Sequence, residues 1–375
     1  MIYHVQFPGL GLECTVNRVA FTLFGMPIYW YGILIAAGMM LALLFVFRYA
    51  RAFGVDSDRL VDVVLLGTVL SIIGGRVYYV AMAPFAYDSF MQMLDIRQGG
   101  MAIYGSVIGA FLGGLIGCKV RKVAVLPTFD LAAMGFLIGQ GIGRWGNFVN
   151  QEAFGCNTTL PWGMISEGTR GYLESAQAAL AAQGVTVDPS MPVHPTFFYE
   201  SVWCLLGFFV LWAYMKHRRF HGEIFLMYLI WYGFERFFVE GLRTDSLMLG
   251  SFRVSQLLAG VSVLAALALL LVLRRKYKGK PLTVTLNTFP KVDGVKAACT
   301  VVWRAKIGIR PPTDAQIIEQ VRALRAMDDV QDAKNGPTAY FMTWVTDAEA
   351  EQQATNAEEE AAEQTQEGSD GGTEN

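Results

Sequence analysis

Seven stretches of this chain are nearly unbroken runs of apolar and small residues: 26–47, 60–82, 101–118, 127–143, 196–215, 223–240 and 254–273. A helix needs about 20 mostly apolar residues to cross the hydrocarbon core of a bilayer. The pattern therefore predicts an all-α polytopic membrane protein, with seven transmembrane helices filling residues 26–273. Residues 1–25 precede them. The longest connection, 150–195, is broken by Pro161, Pro189, Pro192 and Pro195 around a surface helix at 173–183. Beyond residue 273 the pattern changes. Residues 274–346 mix β-branched positions with a helix-like stretch at 315–327, which suits a small module. Residues 347–375 are acidic, rich in Ala, Gln and Gly, and expected to be disordered.

The third and fourth runs are rich in glycine: Gly105, Gly109, Gly113, Gly114 and Gly117, then Gly135, Gly139, Gly141 and Gly143. Lipid offers no hydrophobic drive for helices to associate, and small residues let their backbones approach closely. Basic residues give the orientation, because short cytoplasmic loops retain Lys and Arg. One alternate set of connections holds fourteen (Arg48, Arg51, Arg59; Lys119, Arg121, Lys122; Lys216, Arg218, Arg219; Arg274, Arg275, Lys276, Lys278, Lys280). The other holds six: Arg18, Arg97, Arg144, Arg170, Arg243 and Arg253. With seven spans, the N-terminus and residues 150–195 are expected outside and the C-terminal tail in the cytoplasm.

Composition agrees: 53% of residues are hydrophobic and 17% charged, outside the usual range of a soluble domain. A net charge of −2 gives no reason to expect a nucleic-acid partner. Cys14, Cys118, Cys156, Cys204 and Cys299 have no paired spacing, so neither a disulfide framework nor a metal site is predicted, and no cofactor is implied. The first 24 residues lack the basic, apolar and small-residue order of a cleaved leader.

Ionisable groups inside spans are expensive and mark functional paths or paired structural sites. Here they gather at one end of the runs. Arg76 lies toward the outer end of the second; Asp95, Arg97 and Tyr104 flank the third; Arg144, Asn147 and Glu152 follow the fourth. His194, Tyr199 and Glu200 open the fifth, and Arg236, Glu240 and Arg243 close the sixth. The spacing Tyr232, Arg236, Glu240, Arg243 would place all four on one helical face. Two readings follow. One is an ion-pair ladder that locks helices together. The other is an anion site, because Arg144, Arg236 and Arg243 exceed what one or two glutamates would neutralise. Arginine also suits bidentate phosphate contact, and the depth suits a phospholipid headgroup.

The densest stretch is Gly143-Arg144-Trp145-Gly146-Asn147-Phe148-Val149-Asn150-Gln151-Glu152-Ala153-Phe154-Gly155. Its glycines suit tight turns, and its asparagines supply donors and acceptors. This stretch resembles the signature Gly-Arg-x-Gly-Asn-Phe-x-Asn-x-Glu of the prolipoprotein diacylglyceryl transferases. Further matches stand in family order: Trp30-Tyr31-Gly32, Gly75-Arg76-x-Tyr78-Tyr79, His194-Pro195-Thr196-x-x-Tyr199-Glu200, Tyr232-Gly233-x-x-Arg236-x-x-x-Glu240-x-x-Arg243 and Ser255-Gln256. The resemblance covers roughly residues 15–275 and leaves the tail unexplained.

It implies a multi-pass enzyme that moves the sn-1,2-diacylglyceryl group of phosphatidylglycerol, a membrane lipid, onto a cysteine thiol. That cysteine lies in the lipobox of a prolipoprotein signal peptide. It further implies that Arg144 and Arg236 hold the phosphate and stabilise it as it leaves. Asn147, Glu152 and Gly155 would shape the site, Glu240 would orient Arg236, and Tyr31 would line the cavity. Arg76, Arg243 and His194 would complete the substrate surface. One position departs from the family. Where many members have His-Gly-Gly, this chain has Tyr104-Gly105-Ser106. A phenol with a pKa near 10 is a poor base at neutral pH unless neighbouring arginines depress it. Either Tyr104 is a catalytic base activated that way, or it is only a hydrogen-bonding group and the proton goes elsewhere. Glu152, Glu240 and His194 then remain as proton acceptors.

Other classes fit less well. A small-anion transporter would suit intramembrane arginines, yet the charges avoid the midplane and no repeated halves are visible. A protease would need a nucleophile or metal motif such as Gly-x-Ser-x-Gly or His-Glu-x-x-His, and none occurs. His217 and His221 lie in a basic loop, where they read as topology-setting residues.

Overall fold

Every apolar run forms a helix, but not always with the expected ends. The structure, a computed structural model, describes residues 2–83, 85, 87, 89–96, 99–182, 184–244, 248–249, 252–305, 311–327 and 339–344. Arg97 and the segment 347–375 lie outside the described residues. The chain divides into two units, Met1–Lys280 and Pro281–Asn375.

The helices of the first unit are α1 (Trp30–Tyr49), α2 (Ser57–Met82), α3 (Phe90–Leu94), α4 (Ile103–Arg121), α5 (Val125–Asn150), α6 (Glu167–Ala182), α7 (Thr196–Tyr214), α8 (Glu223–Leu242) and α9 (Val254–Lys276). Among the described residues, six are long and apolar enough to cross a membrane: α1, α2, α4, α5, α7 and α9. The chain is thus a mostly helical, multi-pass membrane protein. The expected seventh, α8, has 20 residues but carries Glu223, Glu235, Arg236 and Glu240. It packs against α5, α7 and α9, so that protein partners receive its charges.

Helices α2 and α4 run antiparallel. Along α4, Gly105, Gly109, Gly113 and Gly117 are buried against α2. A Cβ on Gly113 would sit 2.8 Å from Gly67 Cα, and one on Gly117 would sit 3.0 Å from Val63 Cα. Those on Gly105 and Gly109 would run into the carbonyls of Gly74 and Leu70. Backbone meets backbone along this seam. Between α7 and α8 part of the contact is aromatic. Trp203 and Trp231 stack at 4.6 Å, and each indole N–H donates to the other's carbonyl at 3.0 Å.

Polar groups lock one end of the bundle. Buried Asp130 accepts the N–H groups of Gly222 (2.7 Å) and Phe225 (2.9 Å). Buried Glu223 accepts from Arg274 Nε at 2.7 Å, Tyr214 Oη at 2.9 Å and the Arg219 N–H at 2.6 Å. In the loop between α7 and α8, the Arg218 guanidinium lies 3.9 Å over the Phe53 ring and donates to Ala52 O and Met215 O. Burial lowers its pKa to about 10, which leaves it charged at neutral pH.

Small sheets occupy the other end, and here the all-α expectation is corrected. β1 (Ile2–Phe7) and β2 (Leu12–Asn17) form one hairpin, and β3 (Val19–Leu23) and β4 (Met26–Tyr29) form another. The second turns at Phe24 (φ 49°) and Gly25 (φ 80°), the left-handed pair a tight hairpin requires. Residues 26–29, expected as the first helical turn, are therefore strand. β5 (Ile165–Ser166) extends the first hairpin, pairing Ser166 with Val5 and Ile165 with Gln6. Tyr3, Val5, Phe154, Met164, Leu173, Leu180, Val187, Val193 and Phe197 close a satellite core. Residues 1–25 and 150–195 thus build one structure. A short pair, β6 (Met248–Leu249) and β7 (Phe252–Arg253), precedes α9.

The second unit has strands β8 (Thr283–Thr288), β9 (Lys291–Val292), β10 (Val295–Lys296), β11 (Ala298–Arg304) and β12 (Ala339–Thr343), with α10 (Asp314–Met327) between the last two. β11 lies in the middle of a three-stranded sheet, antiparallel to β8 and parallel to β12. The parallel pair needs a crossover, and α10 lies within it. Ile317 and Val321 of that helix share a core with Val284, Leu286, Val301 and Trp303.

Candidate functional site

The last two turns of α5, the first turns of α7 and the last turns of α8 meet at the end that bears the hairpins. The stretch expected to turn after residue 143 instead continues α5 as helix to Asn150. Its glycines serve packing: a Cβ on Gly146 would meet the Tyr31 ring at 2.7 Å, and one on Gly141 would meet Leu205 at 3.0 Å. The helix ends where Gln151 turns left-handed (φ 54°), returning its N–H to Asn147 O and Phe148 O.

Arg144 and Arg236 are brought together by a third residue, Glu200. One carboxylate oxygen of Glu200 pairs with Arg144 Nε, and the other lies 3.1 Å from Arg236 Nη1. The Arg236 Nη2 then pairs with Glu240 Oε2 at 2.5 Å. A chain Arg144–Glu200–Arg236–Glu240 therefore links α5, α7 and α8. The arginine side chains are 18% and 19% exposed and both glutamates 2%. A fully desolvated charge needs a partner, and the two buried acids have theirs.

One expectation about α8 changes here. Its helix ends at Leu242, and Arg243 is the C-cap with extended backbone (φ −75°, ψ 145°). The common face therefore stops at Glu240. Glu235, 5% exposed, is a further acid of α8. Both its carboxyl oxygens are buried without a hydrogen-bond partner among the described residues, so it does not pair with an arginine as Glu200 and Glu240 do.

Around this chain the other expected residues form a supporting ring. Glu152 Oε1 accepts from Asn147 Nδ2 (3.1 Å) and Asn150 Nδ2 (3.3 Å). Asn150 Oδ1 in turn accepts from Arg18 Nε at 3.2 Å. Tyr31, against Gly146, lines an open cavity of about 600 Å³ together with Arg18, Tyr29, Gly32 and Asn150. Gly155 bridges to Arg243, donates its N–H to His194 O at 2.9 Å, and is followed by Cys156, whose N–H reaches Leu242 O at 2.7 Å. A Cβ on Gly155 would lie 2.8 Å from the His194 Cβ, so glycine lets these segments close. His194 Nδ1 lies 3.2 Å from the Tyr199 hydroxyl, which also accepts from Trp162 Nε1 at 2.7 Å. Burial pushes the His194 imidazole below the ordinary histidine value, which favours its neutral form.

Arg76 and Tyr104 belong to the α2–α4 side instead. Arg76 donates to four backbone carbonyls, those of Gln92, Met93, Gly99 and Gly100, at 2.7–3.1 Å. It clasps its own connecting loop. Tyr104 shares a hydrogen bond with Ser255 Oγ of α9 at 2.9 Å.

Sequence reasoning placed Glu200 at the mouth of the fifth run without a role. The signal was present: it is the one charged residue in the nineteen of α7. Among the described residues, no group of three or more His, Cys, Asp or Glu is arranged to hold a metal ion.

The profile of the prolipoprotein diacylglyceryl transferase family matches residues 18–272. The phosphatidylglycerol–prolipoprotein diacylglyceryl transferase of Clostridioides difficile is 38% identical over 264 residues, covering 70% of this chain and 98% of that protein. Proteins of the same name from Bacillus cytotoxicus and Bacillus cereus are each 40% identical, over 271 and 268 residues, covering 71% of this chain and 95% of theirs.

Proposed function

Because the chain belongs to the prolipoprotein diacylglyceryl transferase family, we propose that it transfers the sn-1,2-diacylglyceryl group of phosphatidylglycerol to a prolipoprotein's lipobox cysteine. The products are a thioether-linked prolipoprotein and glycerol phosphate. The observation that carries this reading is the convergence of Arg144 and Arg236, from two helices, on a single bridging carboxylate. Two guanidiniums held that close have the geometry to grip the two free oxygens of a phosphodiester.

As the S–C bond forms, the thiol gives up its proton to a base at this end of the bundle, for which Glu152 and His194 are the candidates. The glyceryl C–O bond breaks with its electron pair, which passes to the departing phosphate. Charge thus develops on the phosphate oxygens, where positioned guanidiniums stabilise it. Asn147, Asn150 and Glu152 brace the end of α5 that presents Arg144. Gly155 and His194 hold the end of α8, and Tyr31 lines the approach.

We place α8 as a seventh span, with its acids buried and Phe234, Phe237 and Phe238 exposed, and with the N-terminus outside. The basic loops carry this orientation, and it sets the site at the outer-leaflet end. Purified protein in phosphatidylglycerol vesicles should convert a lipobox peptide to its diacylglyceryl form. Failure to form that product under conditions in which the Bacillus cereus protein forms it would refute the proposal.

A further inference from the structure

Glu200 does something the substrate-binding reading does not anticipate: it already occupies the two arginines. Its two oxygens contact Arg144 and Arg236 separately, the same division of labour that two phosphate oxygens would adopt. The carboxylate is singly negative, like a phosphodiester, and guanidinium geometry suits both. With its side chain 2% exposed, it has no water to retreat into. A phosphate that reaches this pair must share it with Glu200 or push it aside.

We propose that Glu200 is a positioning residue that also acts as a resident rival anion, lowering the affinity of the arginine pair for phosphate and hastening release of glycerol phosphate. This inference rests on the phosphate-clamp reading above. Its logic lies in the change of charge during the reaction. The substrate phosphodiester carries one negative charge. The departing monoester has a second ionisation near pH 6, so it carries close to two. Without Glu200, Arg144 and an Arg236 paired only with Glu240 would hold the product more tightly than the substrate, and release would slow turnover. A carboxylate that re-pairs with both arginines offsets that bias. Its neighbour Ser201 is fixed by bonds from Trp145 Nε1 (3.1 Å) and to Gly141 O (2.7 Å), which hold this turn of α7 against α5.

The test is Glu200→Gln, which keeps the size and one acceptor but removes the charge. In the vesicle assay, inhibition by added glycerol phosphate should tighten by about tenfold, as expected for removing a close like charge. KM for phosphatidylglycerol should fall, and kcat should fall with it. A merely structural Glu200 would instead give weaker inhibition and a higher KM. Unchanged or weakened inhibition overturns the proposal. Glu200→Asp keeps the charge on a shorter arm and tests the idea even if the amide variant fails to assemble. It should tighten inhibition by less than the amide does, and no change in inhibition with it also overturns the proposal. Arg144→Ala and Arg236→Ala run alongside. If these bind glycerol phosphate as the wild type does, the phosphate clamp itself is wrong. If they lose it while both Glu200 variants behave as wild type, only the rival-anion role falls.

Discussion

Two seams of the membrane unit solve the same problem in opposite ways. Between α2 and α4 the helices touch through glycine, with Gly105, Gly109, Gly113 and Gly117 against the backbone of their partner. Between α5, α7 and α8 they touch through Arg144, Glu200, Arg236 and Glu240. The first seam uses the cheapest means of association in lipid, close approach of backbones. The second buries ions, whose desolvation can exceed their mutual attraction. Buried ions also lock the opposite end of the bundle, where Glu223 meets Arg274, so charge burial alone does not mark a reaction site. On the function proposed above, what the difference teaches is that the polar seam at the hairpin end serves the transfer and the glycine seam the assembly.

Substitution can break this contrast. The largest effect is expected from Arg144→Ala or Arg236→Ala, where transfer should fall by at least about 10³-fold, the scale of a lost charge-stabilising donor, while the protein still assembles. Wild-type turnover in either would remove the division between the seams. Next, Gly109→Ala puts a methyl against the Leu70 carbonyl and should cost about 1–3 kcal/mol by overpacking, read as a lower midpoint of thermal unfolding in detergent. An unchanged midpoint would mean the seam is looser than described. Trp231→Phe removes the reciprocal indole bond with Trp203 and should cost about 1 kcal/mol, a smaller shift in the same measurement. Tyr104→Phe loses only the bond to Ser255 and should change turnover by no more than about fivefold, since a single neutral hydrogen bond is worth about 1 kcal/mol. A collapse of activity would restore the phenol as a proton carrier. Ending the chain after Lys280, where the first unit ends, should leave transfer unchanged.

Much of this architecture is legible in the chain alone, because long apolar runs have few alternatives in a bilayer. The limits are instructive. Residues 26–29 read as helix because hydropathy cannot tell a strand from a helical turn over four positions, and the Phe24-Gly25 hairpin decides the matter. Helix α5 runs on through residues 143–150 because its glycines face Tyr31 and Ile35, where absence of a side chain is needed for contact rather than for bending. For the site, Arg144, Arg236 and Glu240 were visible as costly charges at one depth. Glu200 was visible too, but its significance depends on two helices far away in sequence. Only their packing reveals that one carboxylate serves both. Arg76 shows the converse: its position looked the same, yet its donors serve its own loop.

The strand that opens the chain completes its sheet only with residues that follow four long helices. The His4 N–H donates to Glu167 Oε2, 163 positions away, at 2.7 Å, beside the pairing of Val5 with Ser166. Closing so long a loop carries an entropic cost that grows only slowly with its length, but it imposes an order in time. During synthesis β1 has to wait until α1, α2, α4 and α5 have been laid into the bilayer before its partner strand exists. The hairpin end of the molecule therefore cannot close before Ser166 has been made, and the arginine pair beneath it waits longer still, for the Arg236 that α8 carries.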